Sequence, residues 1–224
     1  MIDTIIDIHH ANAFDAALAK EGGIIAVIHK ATEGAGWQDA KYQPRRQAAK
    51  AAGLLWGCYH YASGAAVPDQ VENLLRHAQP TDDELIALDW ESSTDGPDMT
   101  LAQVREFART VFDELGRWPC LYGGRLLREA VGHQPDALLT NCPLWYPRYA
   151  TAPIGIPTAI WPTYTLWQFT DGNVPVPTPT PGTSGADRNR YQGTEAELRA
   201  AWPLTRRPIG APPGPGAAHL VAAR

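Results

Sequence analysis

Leu85-Ile86-Ala87-Leu88-Asp89-Trp90-Glu91 reads as an apolar strand that runs straight into two carboxylates one residue apart. Side chains on a strand alternate faces, so Asp89 and Glu91 project from one side and Trp90 from the other. Backbone rise separates the two acidic Cβ atoms by roughly 6 to 7 Å. At that spacing each ionisation disfavours the other, and one proton can be retained near neutral pH. A retained proton is available for general acid chemistry. Glycosidic cleavage uses such a pair, one acid to protonate the leaving oxygen and one carboxylate to support the positive charge that develops. An isolated Asp-x-Glu also fits a capped loop, a solvated strand end or a divalent-metal site, so its surroundings have to decide.

Outward from this strand, short apolar runs at 4–8, 24–28, 54–59, 85–89 and 119–122 alternate with amphipathic stretches. That rhythm predicts β/α units around a parallel sheet or barrel. Helices are expected at 42–52, with Gly53 beyond the end, and at 68–79. Thr100 and Gln103 have capping-box spacing, and Leu101, Val104, Phe107, Ala108, Val111 and Leu115 recur at helical intervals before Gly116. The alternation breaks down in the last third, where 144–149 and 164–169 are aromatic, β-prone runs separated by Pro-rich loops. Residues 174–181 alternate Pro with Val or Thr and read as an extended loop. Thr194 and Glu197 repeat the capping-box spacing and open a short final helix through Trp202. The expected organisation is one catalytic domain over 1–203 and a Pro-, Gly- and Ala-rich flexible tail over 204–224.

With 224 residues and 44% hydrophobic content, one substantial core suffices. A net charge of -5 and dispersed basic residues argue against a nucleic-acid partner. The densest basic pairs, Arg45-Arg46 and Arg206-Arg207, read as solvated surface. Met1-Ile2-Asp3 lacks the basic segment of a secretory signal, and no apolar span is long enough for a bilayer. Synthesis in the cytoplasm without a signal peptide, and no membrane insertion, are therefore expected. Cys58, Cys120 and Cys142 lack CxxC spacing and indicate neither a zinc site nor a disulfide framework, and Cys58 and Cys120 read as small core residues. His9, His10, His29 and His60 show no metal-ligand spacing, and there is no Gly-x-Ser-x-Gly elbow. No metal and no cofactor are expected.

In β/α barrels reactive groups gather at the C-terminal ends of strands. Asp7, Asp89 and Glu91 occupy such ends, and Asp187 follows the Pro-rich loop. Their convergence would make a strongly anionic pocket that either holds a metal or handles protons. Tyr59, Tyr61, Tyr122, Trp145, Tyr149 and Trp167 lie near predicted strand ends, where ring faces can pack on pyranose C–H groups. Gln168 falls in the late aromatic strand.

Several segments carry a wider likeness: Asp7-Ile8-His9-His10-Ala11-Asn12, Lys30-Ala31-Thr32-Glu33-Gly34, Gly57-Cys58-Tyr59-His60-Tyr61, Asp89-Trp90-Glu91, Leu144-Trp145-Tyr146, Leu166-Trp167-Gln168-Phe169 and Ala186-Asp187-Arg188-Asn189-Arg190-Tyr191. In this order the set resembles the family 25 glycoside hydrolases, lysozymes of phage and bacterial origin. His9 stands where that family often has Ser, and Asn12 where Gln is frequent. The resemblance implies an α/β fold, a single irregular TIM-like β/α barrel whose late strands lack full intervening helices. It implies an N-acetylmuramidase that hydrolyses the β-1,4 bond between N-acetylmuramic acid and N-acetylglucosamine in peptidoglycan. Glu91 would be the proton donor, Asp89 would stay ionised, and Asp89, Asp7 and Asp187 would stabilise charge or orient substrate. Tyr59, Tyr61, Tyr122, Trp145, Trp167 and Gln168 would contact sugar. The implied setting is a monomeric phage or prophage endolysin whose partner is the glycan strand of the bacterial wall, reached after release or export. A metal-dependent carbohydrate hydrolase using the same acids and a catalytically silent glycan-binding module are the alternatives.

Overall fold

The strands are β1 (Ile2–Ile8), β2 (Ala26–Glu33), the two-residue β3 (Trp37–Gln38), β4 (Leu55–Tyr61), β5 (Leu85–Asp89), β6 (Cys120–Tyr122), β7 (Leu144–Pro147), β8 (Leu166–Thr170) and β9 (Asp187–Tyr191), and β4, β5, β6 and β8 are buried on both faces through most of their length. These strands come from a computed structural model that describes residues 1–94, 96–174 and 178–205. In the order β1-β2-β4-β5-β6-β7-β8-β9, with β9 back against β1, they close into a barrel, and β3 pairs antiparallel on the outer flank of β2. Neighbours from β1 round to β8 are parallel, whereas β9 runs antiparallel to both β8 and β1. This α/β architecture is the expected irregular TIM-like barrel. The reversal of its last strand is a feature that the sequence reading did not contain.

Alternation sorts the apolar residues into two cores. Ile5, Ala26, Ile28, Leu85, Ala87, Cys120 and Leu166 fill the lumen, while Ile6, Val27, Ile86, Leu88, Leu121 and Leu144 face an outer layer. That layer is covered by α1 (Ala16–Glu21), α2 (Tyr42–Ala51), α3 (Val67–Ala78), α4 (Leu101–Leu115) and α5 (Arg125–Val131). In α4 the expected capping box is formed in both directions between Thr100 and Gln103, and Gly116 ends the helix with φ 67°. The second capping box opens α6 (Glu195–Ala201), whose Leu198 joins the lumen cluster at the end opposite the acids. β7, β8 and β9 are joined by loops with no α-helix between them, matching the broken rhythm of the last third.

Arg45 and Arg46 are not solvated surface. Arg46 Nε donates to the buried Glu84 at 2.8 Å, and the Arg45 guanidinium donates to the backbone oxygens of His9 and Asn12. All three cysteines are buried free thiols. Residues 206–224, which include Arg206-Arg207 and most of the expected tail, lie outside the described residues, as do 175–177 of the Pro-rich loop. No helix among the described residues is long and apolar enough to cross a membrane.

Gly57 marks where the lumen is tightest. A Cβ there would lie 2.9 Å from Leu85 Cβ and 3.2 Å from the Leu85 carbonyl oxygen on the adjacent strand. Neither atom is the end of a flexible side chain, so Gly57→Ala is expected to destabilise the protein by about 1 to 3 kcal/mol through strand displacement. Urea unfolding followed by tryptophan fluorescence measures it.

Candidate active site

The barrel mouth collects the acids because each sits at an inward position at the same end of a strand. Asp7 and Asp89 come at the C-terminal ends of β1 and β5. Asp187 begins β9, and only because β9 runs backwards does its first residue reach that end, paired in register with Asp7. Asn12 helps fix this approach: its Nδ2 donates to the carbonyls of Ser184 and Gly185 at 2.8 and 2.9 Å, and its Oδ1 accepts from the His9 backbone. Glu91 is held two residues beyond Asp89 by two anchors on Trp90. The Trp90 backbone N–H donates to Tyr122 O at 2.9 Å, and its indole points outward to donate to Met99 O at 2.8 Å.

Two amide side chains organise the Asp7 and Asp187 carboxylates. Trp145 Nε1 donates to Asn189 Oδ1 at 2.6 Å, and because an indole can only donate, the Asn189 amide nitrogen must face the other way. It donates to Asp7 Oδ1 at 2.7 Å. Gln168 repeats the logic. Its Oε1 accepts from the Tyr122 and Tyr149 hydroxyls at 2.9 and 3.1 Å, while Nε2 donates to Asp7 at 3.0 to 3.1 Å and to Asp187 Oδ2 at 3.0 Å. Beneath them the rings of Tyr122 and Trp145 meet edge-on at 4.8 Å and Tyr59 packs on Trp145 at 6.4 Å, which closes the lumen to water.

Burial is the first cause of acidity change at every one of these carboxyls. It pushes Asp7 up to about 6 despite the amide hydrogen bonds that pull the other way, and it pushes Asp187 up to about 9, helped next by the charge of Asp7. Asp89 is raised well above the usual carboxylate range by burial and then by Glu91, and Glu91 is raised by burial. Asp89 Oδ1 has no hydrogen-bond partner among the described residues. The expectation that Asp89 simply stays ionised while Glu91 holds the proton therefore meets an opposing pull, since Asp89 lies deeper and is given no donor there. Lys30 draws Asp89 back towards ionisation. Its ammonium sits 4.5 Å from the Tyr61 ring centroid and donates to Glu33 Oε2 at 2.6 Å, and Glu33 in turn accepts from the Thr94 hydroxyl.

A pocket of about 280 Å³ opens beside this cluster, lined by Tyr61, Trp90, Glu91, Ser92, Gly124, Arg125 and Leu126. Glu91 and Tyr61 are the sequence candidates that reach it. Trp145 and Gln168, each 1% exposed, lie under the acids and hold the network instead of facing the pocket, and Tyr59 and Tyr122 are buried with them. Trp167 is turned away altogether. It is 2% exposed in the outer layer, its Nε1 donates to Arg148 O, and the Arg190 guanidinium lies 4.9 Å over its ring. Sequence reasoning gave no role to Asn189, although its place two residues after Asp187 on one strand puts both on the same face. Trp37, half-exposed against His10 and Lys30, was also passed over. Among the described residues no group of three or more His, Cys, Asp or Glu is arranged to hold a metal ion.

Residues 6–176 match the model of glycosyl hydrolases family 25. Similar solved structures include a muramidase from Acremonium alcalophilum, 25% identical over 87% of this chain and 96% of that one with a TM-score of 0.72. A family GH25 lysozyme from Aspergillus fumigatus is 25% identical over 87% and 96% with a TM-score of 0.74. The CTP1L endolysin is 25% identical over 89% and 70% with a TM-score of 0.69. No curated protein matches the chain in sequence.

A carboxyl whose folded-state pKa is raised stabilises the fold fully below its unfolded value and loses that contribution as pH rises through the folded value. His29 and His60, both held down to about 4 by burial, act in the opposite sense below their ordinary range. Between pH 7 and 8, above the histidines, the raised carboxyls of Asp187, with its value of about 9, and of Asp89 lower the stability as pH rises. Stability in urea is expected to fall across that window. Asp187→Asn should flatten the fall and raise stability at pH 8 by on the order of 1 kcal/mol.

Proposed function

The chain belongs to glycosyl hydrolases family 25 and is a glycoside hydrolase, and from that premise we propose that it is a peptidoglycan hydrolase cutting the β-1,4 bond between N-acetylmuramic acid and N-acetylglucosamine. The observation that carries the assignment of roles is the position of Glu91. Of the clustered acids it alone, among the described residues, lines the open pocket, and its carboxyl is raised by burial so that a proton is retained for donation. Glu91 gives that proton to the glycosidic oxygen as the bond from the anomeric carbon breaks. Positive charge then develops on the sugar ring beside Asp89, with Asp7, whose amide donors favour its charged form, adding negative potential and Asp187 helping to orient the substrate. Water adds at the anomeric carbon and its proton is returned to the site. Asn189 and Gln168 keep Asp7 and Asp187 oriented through this cycle.

The muramidase and lysozyme among the similar structures support this substrate, and the endolysin supports a lytic enzyme of phage or prophage setting that acts on the wall after release. We further propose action as a monomer, since Asp7, Asp89, Glu91 and Asp187 and the amides that orient them meet at the mouth of a single barrel.

Glu91→Gln is expected to lower turnover on purified peptidoglycan by roughly a hundred- to ten-thousand-fold with the unfolding midpoint preserved. Borohydride reduction of the digest and mass spectrometry identify the new ends. Reduced N-acetylmuramic acid from the parental protein is the expected product, and reduced N-acetylglucosamine would assign the opposite bond.

A further inference from the structure

The pocket beside Glu91 has a charge pattern of its own. Among the described residues lining it, Glu91 is the carboxylate and Arg125 the cation, together with Tyr61, Trp90, Ser92, Gly124 and Leu126. Arg125 is the first residue of α5, and the turn before it is pressed against the strand end that carries the acids. A Cβ at Gly123 would lie 3.2 Å from the Trp90 carbonyl oxygen and 2.8 Å from Leu127 Cβ, so only glycine lets the turn come this close. The backbone that carries Arg125 is therefore held against the strand end, and Arg125 lines the pocket from there.

Its present partner holds it weakly. Arg125 pairs with Glu129 one helical turn on at 3.1 Å, with the two side chains 71% and 60% exposed. Exposed i,i+4 pairs contribute little, so the guanidinium can exchange this carboxylate for another at small cost. Lys30, the nearby cation on β2, has no such freedom. It is bonded to Glu33 and enclosed by the Tyr61 and Trp37 rings.

A muramoyl residue carries a peptide with free carboxylates on its lactyl group. None of Asp7, Asp89, Glu91 and Asp187 offers such a carboxylate a positive charge, and Asp7, whose amide donors favour its charged form, opposes it, so a cation on the pocket wall has to meet it. We propose that Arg125 is a specificity-determining residue that binds a stem-peptide carboxylate of the substrate in the pocket beside Glu91. This rests on the muramidase reading above.

The test uses soluble peptide-bearing tetrasaccharide fragments of peptidoglycan, either native or with the stem carboxylates converted to amides by carbodiimide and ammonia. The full chain should favour the native fragments through a lower KM, by roughly three- to tenfold, with similar kcat. Arg125→Ala should abolish the preference by raising KM on native fragments alone, and Arg125→Lys should restore part of it. The preference should shrink with added salt. If the parental protein cuts both fragments and Arg125→Ala keeps its preference, or if the variant loses activity equally on both, the proposal is overturned while the muramidase reading stands. If the parental protein releases no new reducing ends from either fragment, or from whole peptidoglycan, the muramidase reading fails and this proposal with it.

Discussion

One amide nitrogen, Gln168 Nε2, donates to both Asp7 and Asp187, and the mouth of the barrel is arranged around that sharing. Two carboxyls without donors in so dry a place would cost several kcal/mol each. The nitrogen faces them because the other end of the amide is occupied by the Tyr122 and Tyr149 hydroxyls. Asp187 can reach it because β9 runs against its neighbours, which turns the start of a strand into a residue of the mouth. A uniform β/α barrel would bring a strand's last residue here, and the reversal lets a short strand entering from a loop supply an acid instead.

The same arrangement explains where the aromatic residues went. Tyr59, Tyr122 and Trp145 form a floor inside the lumen, and desolvation by that floor is what raises the acids above it. Trp145 serves twice, as floor and as the donor that orients Asn189. On the opposite face of the late strands, no α-helix among the described residues lies between β7 and β9 to cover Trp167 and Phe169. The Arg190 guanidinium lies over both rings at 4.9 and 4.0 Å, so a cation and its aliphatic stem cover apolar surface that elsewhere in the barrel is covered by helices. Residues that look like sugar platforms in the sequence are, on this side, the outer packing of a barrel with part of its helical coat missing.

The parts legible in the sequence are those where local signal and tertiary environment agree. β5 announces itself by a continuous apolar run, and α4 and α6 by capping boxes that are formed in full. β9 gives no comparable signal: Asp187-Arg188-Asn189-Arg190-Tyr191 has no apolar face, because its inward side holds the acid network and its outward side carries the arginines. The places of Asp7, Asp89 and Glu91 at strand ends were readable, whereas Asp187 could be placed only after a loop, without the strand that brings it to the mouth. Depth was not readable. Nothing in the local pattern separates Tyr61, at the pocket wall, from Tyr59 two residues earlier, under the acids. Parity would have gone further, since placing Gln168 inward forces Trp167 outward.

The carboxyls differ in role through their donors more than through their residue type. Asp7 accepts from Asn189 and Gln168, which favour its charged form, and Asp187 takes what remains of the Gln168 amide. Asp89 has one oxygen without a donor among the described residues, and the Lys30 charge favours its ionised form. Glu91, also raised by burial, opens onto the pocket. A proton held by the Asp89 and Glu91 pair is therefore held where no amide competes for the lone pairs, and it faces substrate only at Glu91. Placing a donor against Asp89 would make the pair more stable when charged and a weaker source of protons, so the unsatisfied oxygen is consistent with a site arranged for proton delivery at some expense of stability.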